Sequence, residues 1–393
     1  MLKDSMYKEA LVYMKTYRRW FHKYPEIGFE VHNTQKYILN QLMELKFDSI
    51  EAVSGTGIKA VMHVSPEFQT FAFRADMDAL TLKEQTGLEF SSQTEGFMHA
   101  CGHDAHMAML LGFARWLSNN RETLNKNIVL IFQPAEESVG GALPMIKEGV
   151  LENPKVDAIF GFHLFPGIKQ GFIGLREGPL MAQTCEFDIE FTGKSAHGAM
   201  PQDGADALMA AAHFVHSIYS AVSRRLDPMQ RFLITIGKMQ AGERRNIIAE
   251  KALLEGIIRT FNEKVYDSVR KTVEDVLAGV EKTYNVIAKY NETVYYPVLY
   301  NDPELVQKLR SILLTEMLVD AGPFMTAEDF SFFQQKVPGV FMLLGTLNEQ
   351  KCYCEPLHSN RFDFDEEVML TGLKTLIAIT QSASFMKLSE RYI

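Results

Sequence analysis

Residues 99–106 read H-A-C-G-H-D-A-H, a cysteine, three histidines and an aspartate in eight positions. Thiolate and imidazole are the ligands of borderline-soft divalent metals. The run leads into an apolar, helix-like segment over residues 107–117. More ligand-type side chains follow: the doublet Glu136-Glu137 in Q-P-A-E-E-S, His163 in G-F-H-L-F-P and His358 in P-L-H-S-N. Each alone is more often a hydrogen-bonded core or loop residue than a ligand. Their weight comes from co-occurrence at the predicted ends of strands.

Five candidates, Cys101, His103, Glu137, His163 and His358, exceed the three protein ligands plus water of a catalytic zinc. They suit two ions about 3.5–4 Å apart with one shared ligand, a part that Cys101 as thiolate can play. The intervening Gly102 lets Cys101 and His103 point the same way in an extended turn. The doublet then divides its labour. One carboxylate binds metal, while the other stays free as general base toward water and then as proton donor to a leaving amine. That chemistry is hydrolysis of an amide or a similar acyl bond. Asp78, in R-A-D-M-D-A-L, would orient a ligand from behind it, although a solvated turn is the simpler reading of Asp76 or Asp78 alone.

These residues need elements to bring them together. The spacing predicts helices over residues 5–22, 32–46, 141–150, 303–319 and 365–382, and one from the metal-type run to about 119. Short strands are predicted over 57–64, 70–74, 127–132, 156–161 and 339–344. The run N-I-V-L-I-F at 127–132 is continuously apolar, as in a strand buried on both faces. Strands alternating with helices imply an α/β fold, a mostly parallel sheet with helices on both faces and ligand-type residues along one edge. Near residue 180 the pattern changes. C-E-F-D-I-E-F alternates like a strand with one solvated face, and β-α-β-β-α-β follows over about 110 residues, a ferredoxin-like unit inserted into the first domain. The expected division is residues 1–182 with 298–393, and 183–297.

As a set, these motifs resemble the two-metal aminoacylase and carboxypeptidase G peptidase family. The nearest branch is that of hippurate hydrolases, indoleacetyl-amino-acid hydrolases and N-acetyldiaminopimelate deacetylases. The similarity runs from R-R-W-F-H-K-Y-P-E-I-G-F-E through R-A-D-M-D-A-L, M-H-A-C-G-H-D-A-H, F-Q-P-A-E-E and I-I-A-E-K-A-L-L-E-G-I-I-R-T to A-E-D-F and the late L-H. It implies a zinc-exopeptidase-like catalytic domain with an inserted lid and dimerisation domain, and hence a homodimer or higher homo-oligomer. It implies Cys101, His103, Glu137, His163 and His358 as metal ligands, Glu136 as general base and Asp78 as the orienting acid. His197, in S-A-H-G-A-M-P, then polarises the scissile carbonyl or steadies the oxyanion, from its own chain or a partner's. Asn246 and Arg259 bind the oxyanion and the substrate carboxylate. The chain departs from the family pattern at Thr81, Gln202 and Ala249. Gln202 alters the shape of the histidine loop and so bears on substrate choice.

The expected activity is a metal-dependent amidohydrolase acting on N-acyl amino acids, with two divalent ions (zinc, manganese, cobalt or nickel) per chain and N-acetyldiaminopimelate deacetylation as the preferred reaction. The rivals are hippurate- or indoleacetyl-amino-acid-type hydrolysis, a dipeptidase or carboxypeptidase activity, and a non-catalytic metal-binding scaffold. A formal net charge of −9 argues against a nucleic-acid binder that relies on phosphate contacts. No signal core opens the chain, no stretch approaches a membrane span, and four cysteines in 393 residues fit a reducing compartment, so a cytoplasmic location is expected.

Overall fold

The computed structural model describes residues 4–385. The chain forms two compact units. One comprises the chain up to Leu180, Tyr300–Gly322 and the chain from Glu328, and the other Met181–Leu299 with Pro323–Ala327.

The first unit opens with helices α1 (Asp4–Lys23) and α2 (His32–Met43), then strands β1 (Ser49–Val53), β2 (Gly57–Met62) and β3 (Thr70–Asp76). Helix α3 (His103–Asn120), β4 (Asn127–Gln133), α4 (Ala142–Lys147), β5 (Ala158–Lys169), β6 (Ile173–Leu175) and β7 (Gly178–Met181) follow. The second unit holds β8 (Gln183–Thr192), α5 (Ala207–Arg225), β9 (Phe232–Ala241), β10 (Lys251–Thr260), α6 (Glu263–Tyr284) and β11 (Ile287–Tyr296). The chain then rejoins the first unit through β12 (Leu299–Asn301), α7 (Pro303–Ile312), β13 (Leu318–Asp320), α8 (Ser331–Gln334), β14 (Gly339–Leu347) and α9 (Val368–Gln381).

The large sheet has the order β1-β2-β4-β3-β5-β14-β6-β13. Its central strands β4, β3, β5 and β14 are parallel. Toward β1 and at β6 the pairing is antiparallel, so the sheet is mixed. The cause is local at one side. Ser54 and Gly55 take positive φ in the short turn between β1 and β2, and a turn that short joins only antiparallel strands. All seven residues of β3 and of β4 are buried, as continuous apolar runs require. Phe71, Phe73, Leu130 and Phe160 join a core shared with α1, α3 and α9. The alternate residues Ile131, Ile159 and Phe341 are buried as well, and Phe330 packs against Phe341 with the rings tilted by 44° and their centroids 5.0 Å apart.

Two expectations need revision. Helix α7 stops at Ile312, because Leu318–Asp320 pairs in parallel with β6 instead. Tertiary pairing overrides the helical spacing there. Strand β5 does not end before His163 but runs through it to Lys169, paired along β14.

The second unit is an antiparallel sheet of order β11-β8-β10-β9. Cys185, Phe187, Ile189 and Phe191 of β8 face a core with Phe214, Ile218 and Val222 of α5 and Val269, Val273 and Leu277 of α6. Alternation in the sequence thus becomes one buried face. Asp206 caps α5 by accepting from the N–H groups of Leu208 and Met209, and Asn262 caps α6 by accepting from Lys264, both favoured N-cap residues.

Candidate active site

Parallel register places the functional residues of the first unit at one edge. Asp76 pairs with Gln133, and Arg74 with Ile131 and Gly161. The residues that follow therefore emerge together, where ligands bind in open α/β sheets. Strand β3 leads to Asp78, β4 to the loop bearing Glu136 and Glu137, and β5 carries His163. Helix α3 begins at His103 after Gly102, whose φ is +88°. The turn is left-handed rather than extended. A Cβ on Gly102 would lie 2.7 Å from Leu164 Cδ1, so glycine alone fits without strain. His358 also has a positive φ of 63°, and its N–H donates to Ala100 O at 2.9 Å, which seats it beside Cys101.

The donor atoms converge on Cys101. Its Sγ lies 3.3 Å from His163 Nε2 and 3.3 Å from His358 Nε2. Glu137 Oε1 is 3.2 Å from His358 Nε2 and 3.8 Å from His103 Nε2. Cys101 belongs to two possible ligand groups, one with His103 and His163 and one with Glu137 and His358. The ring orientations suit this. His103 Nδ1 donates to the Asp78 backbone carbonyl at 2.8 Å, and His163 Nδ1 to the Leu164 carbonyl at 2.7 Å. Carbonyls only accept, so both Nε2 atoms keep their lone pairs for a metal. His103 Nε2 is buried without a hydrogen-bond partner, an arrangement that is costly unless a cation completes it.

The charges lead to the same requirement. Burial and the neighbouring Glu137 and Glu136 push the Cys101 thiol well up, so a thiolate there needs a positive charge beside it. Burial and repulsion from His106 push His163 down to about 3, leaving the imidazole neutral and able to ligate. Burial works to lower His103, but Asp76, Asp78 and Glu137 outweigh it and raise it to about 10, so without a cation in the site a proton sits on Nε2, and a metal ion would bind by displacing it. Burial works to raise Glu137, but His358, His103 and Cys101 hold it at about 2. Its neighbour Glu136 moves the opposite way, well up, through burial and the like charges of Glu328, Glu137 and Asp329. Two adjacent glutamates thus occupy opposite electrostatic environments.

Asp78 is fully buried and acts mainly on the doublet. Its carboxylate oxygens accept the backbone N–H groups of Glu136 and Glu137 at 3.0 and 3.1 Å. That carboxylate lies 3.7 Å from His103 Nδ1, so the hold on the ring comes from the Asp78 backbone carbonyl. Several buried partners carried no assigned role in the sequence. Asp76 Oδ1 pairs with His106 Nδ1 at 2.6 Å, and His106 Nε2 accepts from Leu164 N at 3.0 Å, holding the backbone after His163. Arg74 forks to Asp76, Glu328, Asp329 and Gln133. An Arg and an Asp two apart in the otherwise mostly apolar stretch T-F-A-F-R-A-D were the available signal, since buried charges are kept paired.

His197, Asn246 and Arg259 belong to the second unit. His197 and Asn246 are exposed on adjoining loops, where Gly198 N donates to Asn246 O at 2.7 Å and Ala199 N to His197 Nδ1 at 3.0 Å. Arg259 is half-buried on β10, opposite Thr184 and Leu233, and its Nη1 is buried without a partner.

Residues 72–382 match the family described as peptidase family M20/M25/M40. The chain belongs to that family. It is 38% identical to thermostable carboxypeptidase 1 of Saccharolobus solfataricus, over 90% of this chain and 91% of that protein. It is 39% identical to the N-acetyldiaminopimelate deacetylase of Lactococcus lactis subsp. cremoris, over 90% of this chain and 93% of that one. Among solved structures it is similar to Bacillus subtilis YXEP, a dinuclear metal-binding peptidase of the M20 family. The TM-score is 0.81 and the identity 31%, over 95% of this chain and 98% of that one. The protein is therefore a metal-dependent hydrolase acting on amide bonds, which sets it among enzymes rather than scaffolds. Family and neighbour point to two divalent ions. Among the described residues no helix is long and apolar enough to cross a membrane.

Proposed function

We propose that this amidohydrolase cleaves the acyl amide bond of small N-acyl amino acids, with Glu136 as general base and N-acetyldiaminopimelate as preferred substrate. The observation that carries the proposal is Cys101 Sγ, 3.3 Å from two histidine Nε2 atoms, with the Glu136 carboxylate within 4.8 Å of His103 and Glu137. Cys101, His103, Glu137, His163 and His358 would hold the ions, whose identity (zinc, manganese, cobalt or nickel) this mixed sulfur, nitrogen and oxygen set leaves to availability. Two such ions supply Lewis acidity toward a carbonyl oxygen and toward water. Glu136 takes the proton of the attacking water and returns it to the amine nitrogen as the bond breaks. A carboxyl raised by its surroundings suits a group that must first take a proton and then release it. Asp78 keeps the doublet aimed through its two backbone N–H groups.

His197 is assigned to the developing oxyanion, with Asn246. Arg259 is assigned to the substrate carboxylate, which a guanidinium with an unpartnered nitrogen can grip in a fork. The β-α-β-β-α-β order and the strand order β11-β8-β10-β9 support reading the second unit as a ferredoxin-like, substrate-covering and dimerising module. Four free cysteines, two of them exposed, support a reducing, cytosolic location. A second reading, carboxypeptidase activity, draws on the relative of that name at nearly the same identity. It breaks the same kind of bond beside a free carboxylate.

The test is a hydrolysis screen of N-acetyldiaminopimelate, N-acetyl, N-benzoyl and N-indoleacetyl amino acids and N-blocked dipeptides, with zinc, manganese, cobalt or nickel added in turn. Highest kcat/KM on N-acetyldiaminopimelate supports the proposal, and preference for blocked dipeptides favours the second reading. The Glu136→Ala variant is expected to keep its metal and lose about 10²–10⁴-fold in kcat, the contribution of a positioned acid-base group. Undiminished hydrolysis by a metal-loaded variant would remove Glu136 from the mechanism.

A further inference from the structure

The doublet sits on a loop, residues 134–141, between the end of β4 and the start of α4. A loop must be pinned if its carboxylates are to act with sub-ångström placement. Asp78 holds the middle, at the N–H groups of Glu136 and Glu137. The two ends converge on one other side chain, Asp329. At the entry, Gln133 Nε2 donates to both Asp329 carboxylate oxygens at 2.8 Å. At the exit, Ala142 N donates to Asp329 Oδ2 at 2.9 Å. Arg74 closes the frame, with Nε on Gln133 Oε1 at 2.9 Å and Nη2 on Asp329 Oδ1 and Glu328 Oε1, each at 3.0 Å. Arg74, Gln133, Glu328 and Asp329 are all buried. None of them belongs to the proposed ligand set.

We infer that Asp329 is a positioning residue for the reaction: with Arg74 and Gln133 it clamps both ends of the loop and so fixes where the Glu136 carboxylate stands. This rests on the proposed role of Glu136. The frame has little tolerance elsewhere. A Cβ on Gly141 would come within 1.9 Å of Pro134 O, and Ala135 already takes a positive φ of 61°. Within the loop Gly140 N donates to Ala135 O at 3.0 Å, so the clamp at the two ends sets where this internally bonded loop stands. Glu328 shares the cluster with Glu136 and Asp329 and bonds Arg74, the Phe330 N–H and Asp329 itself, so it braces the guanidinium and Asp329 rather than the ends of the loop.

The test compares Asp329→Asn with the reciprocal double variant Gln133→Glu/Asp329→Asn, which keeps the net charge and reverses the direction of the shared hydrogen bond. All are assayed as full-length, metal-loaded enzyme on the best substrate of the screen. Asp329→Asn turns an accepting oxygen into a donor facing Gln133, Arg74 or Ala142. It is expected to lower kcat by about 10²-fold, the cost of roughly an ångström of misplacement. KM is expected to stay within a few-fold and bound metal at the wild-type level. The double variant is expected to recover at least tenfold of the loss. If Asp329→Asn does not fold, Gln133→Met cuts the same clamp from its other side and is read in the same way.

Unchanged kcat in a folded variant overturns the inference, as does a loss that tracks missing metal or a double variant no better than the single one. The Glu136→Ala result separates the two readings. If that variant stays active, the general-base role itself fails. If it is inactive while Asp329→Asn is fully active, the base stands and only the clamp is wrong.

Discussion

At the scale of single residues, Cys101 is the residue shared by the donor group with His103 and His163 and the donor group with Glu137 and His358. Replacing it with serine removes a soft thiolate from both halves at once, whereas His358→Ala removes a ligand from one. Metal analysis of dialysed protein is expected to find about one ion per chain in His358→Ala and fewer than one in Cys101→Ser. Equal metal contents in the two variants would refute a shared thiolate. Cysteine and histidine in tight spacing are legible in a sequence because few structural roles demand that combination. Arg74, Gln133 and Asp329 are not, because their importance comes from burial and from one another. Arg74 and Asp329 are 255 positions apart, and no local pattern announces that pairing. Asp76 and His106 are each visible as residues, but their pairing across 30 positions is hidden for the same reason, as is the contact with Leu164 that leaves no room for a Cβ at Gly102.

At the scale of elements, long periodic or continuously apolar stretches such as α6 and β4 declare themselves, since their own residues decide their burial. Three-residue strands such as β6 and β13 exist by pairing, β13 with β6 and β6 also with β14, so their sequences hold almost no trace of them. Helix α3 matters most, because it starts at His103. Gly102→Ala would force Cβ toward Leu164 at a positive φ. A loss of about 1–3 kcal/mol in urea unfolding and a reduced metal content are the expected results. Helix α1 is tied to α3 by buried charges. Arg18 Nε and His22 Nδ1 both donate to Asp104 Oδ2, at 3.0 and 2.8 Å, and His22 Nε2 reaches Glu84 at 3.2 Å. Burial favours the neutral carboxyl of Glu84. His22, the Thr86 hydroxyl and the Ser92 N–H outweigh it and hold Glu84 at about 2, against an ordinary 4.5. Burial likewise opposes the charged form of His22, but Asp104 and Glu84 raise it above its ordinary 6.5. The signs follow by linkage. Glu84 adds stability above pH 4.5 that is lost as pH falls toward 2. His22 adds stability below pH 6.5 that is lost as pH rises through its raised value. Melting temperatures across pH are expected to fall less steeply on the acid side in Glu84→Gln and less steeply above 6.5 in His22→Gln. Slopes parallel to wild type in both variants would mean that the tie carries no linked stability.

At the scale of the whole molecule, the two units have separate hydrophobic cores, one organised on the mixed sheet and one on the antiparallel sheet. All five proposed ligands lie in the first unit: Cys101, His103, Glu137 and His163 before Leu180, and His358 after Glu328. That unit is discontinuous in sequence, so a metal joining His358 to Cys101 and Glu137 ties its last segment to its first. Ligands that bind only the folded state stabilise it by mass action, by about 2.7 kcal/mol at a hundredfold excess over Kd. In a unit of this size that corresponds to a shift of roughly 5–10 °C in melting temperature. Calorimetry with and without a chelator is therefore expected to resolve two transitions. The one assigned to the first unit should fall by several degrees when metal is stripped, and the one assigned to the second unit should hold still. The assignment can be made independently with Phe214→Ala, which opens a cavity in the second core and should lower only the unmoved transition. A single transition that shifts as one body under both treatments would show that the units unfold together and that metal binding is felt throughout the chain.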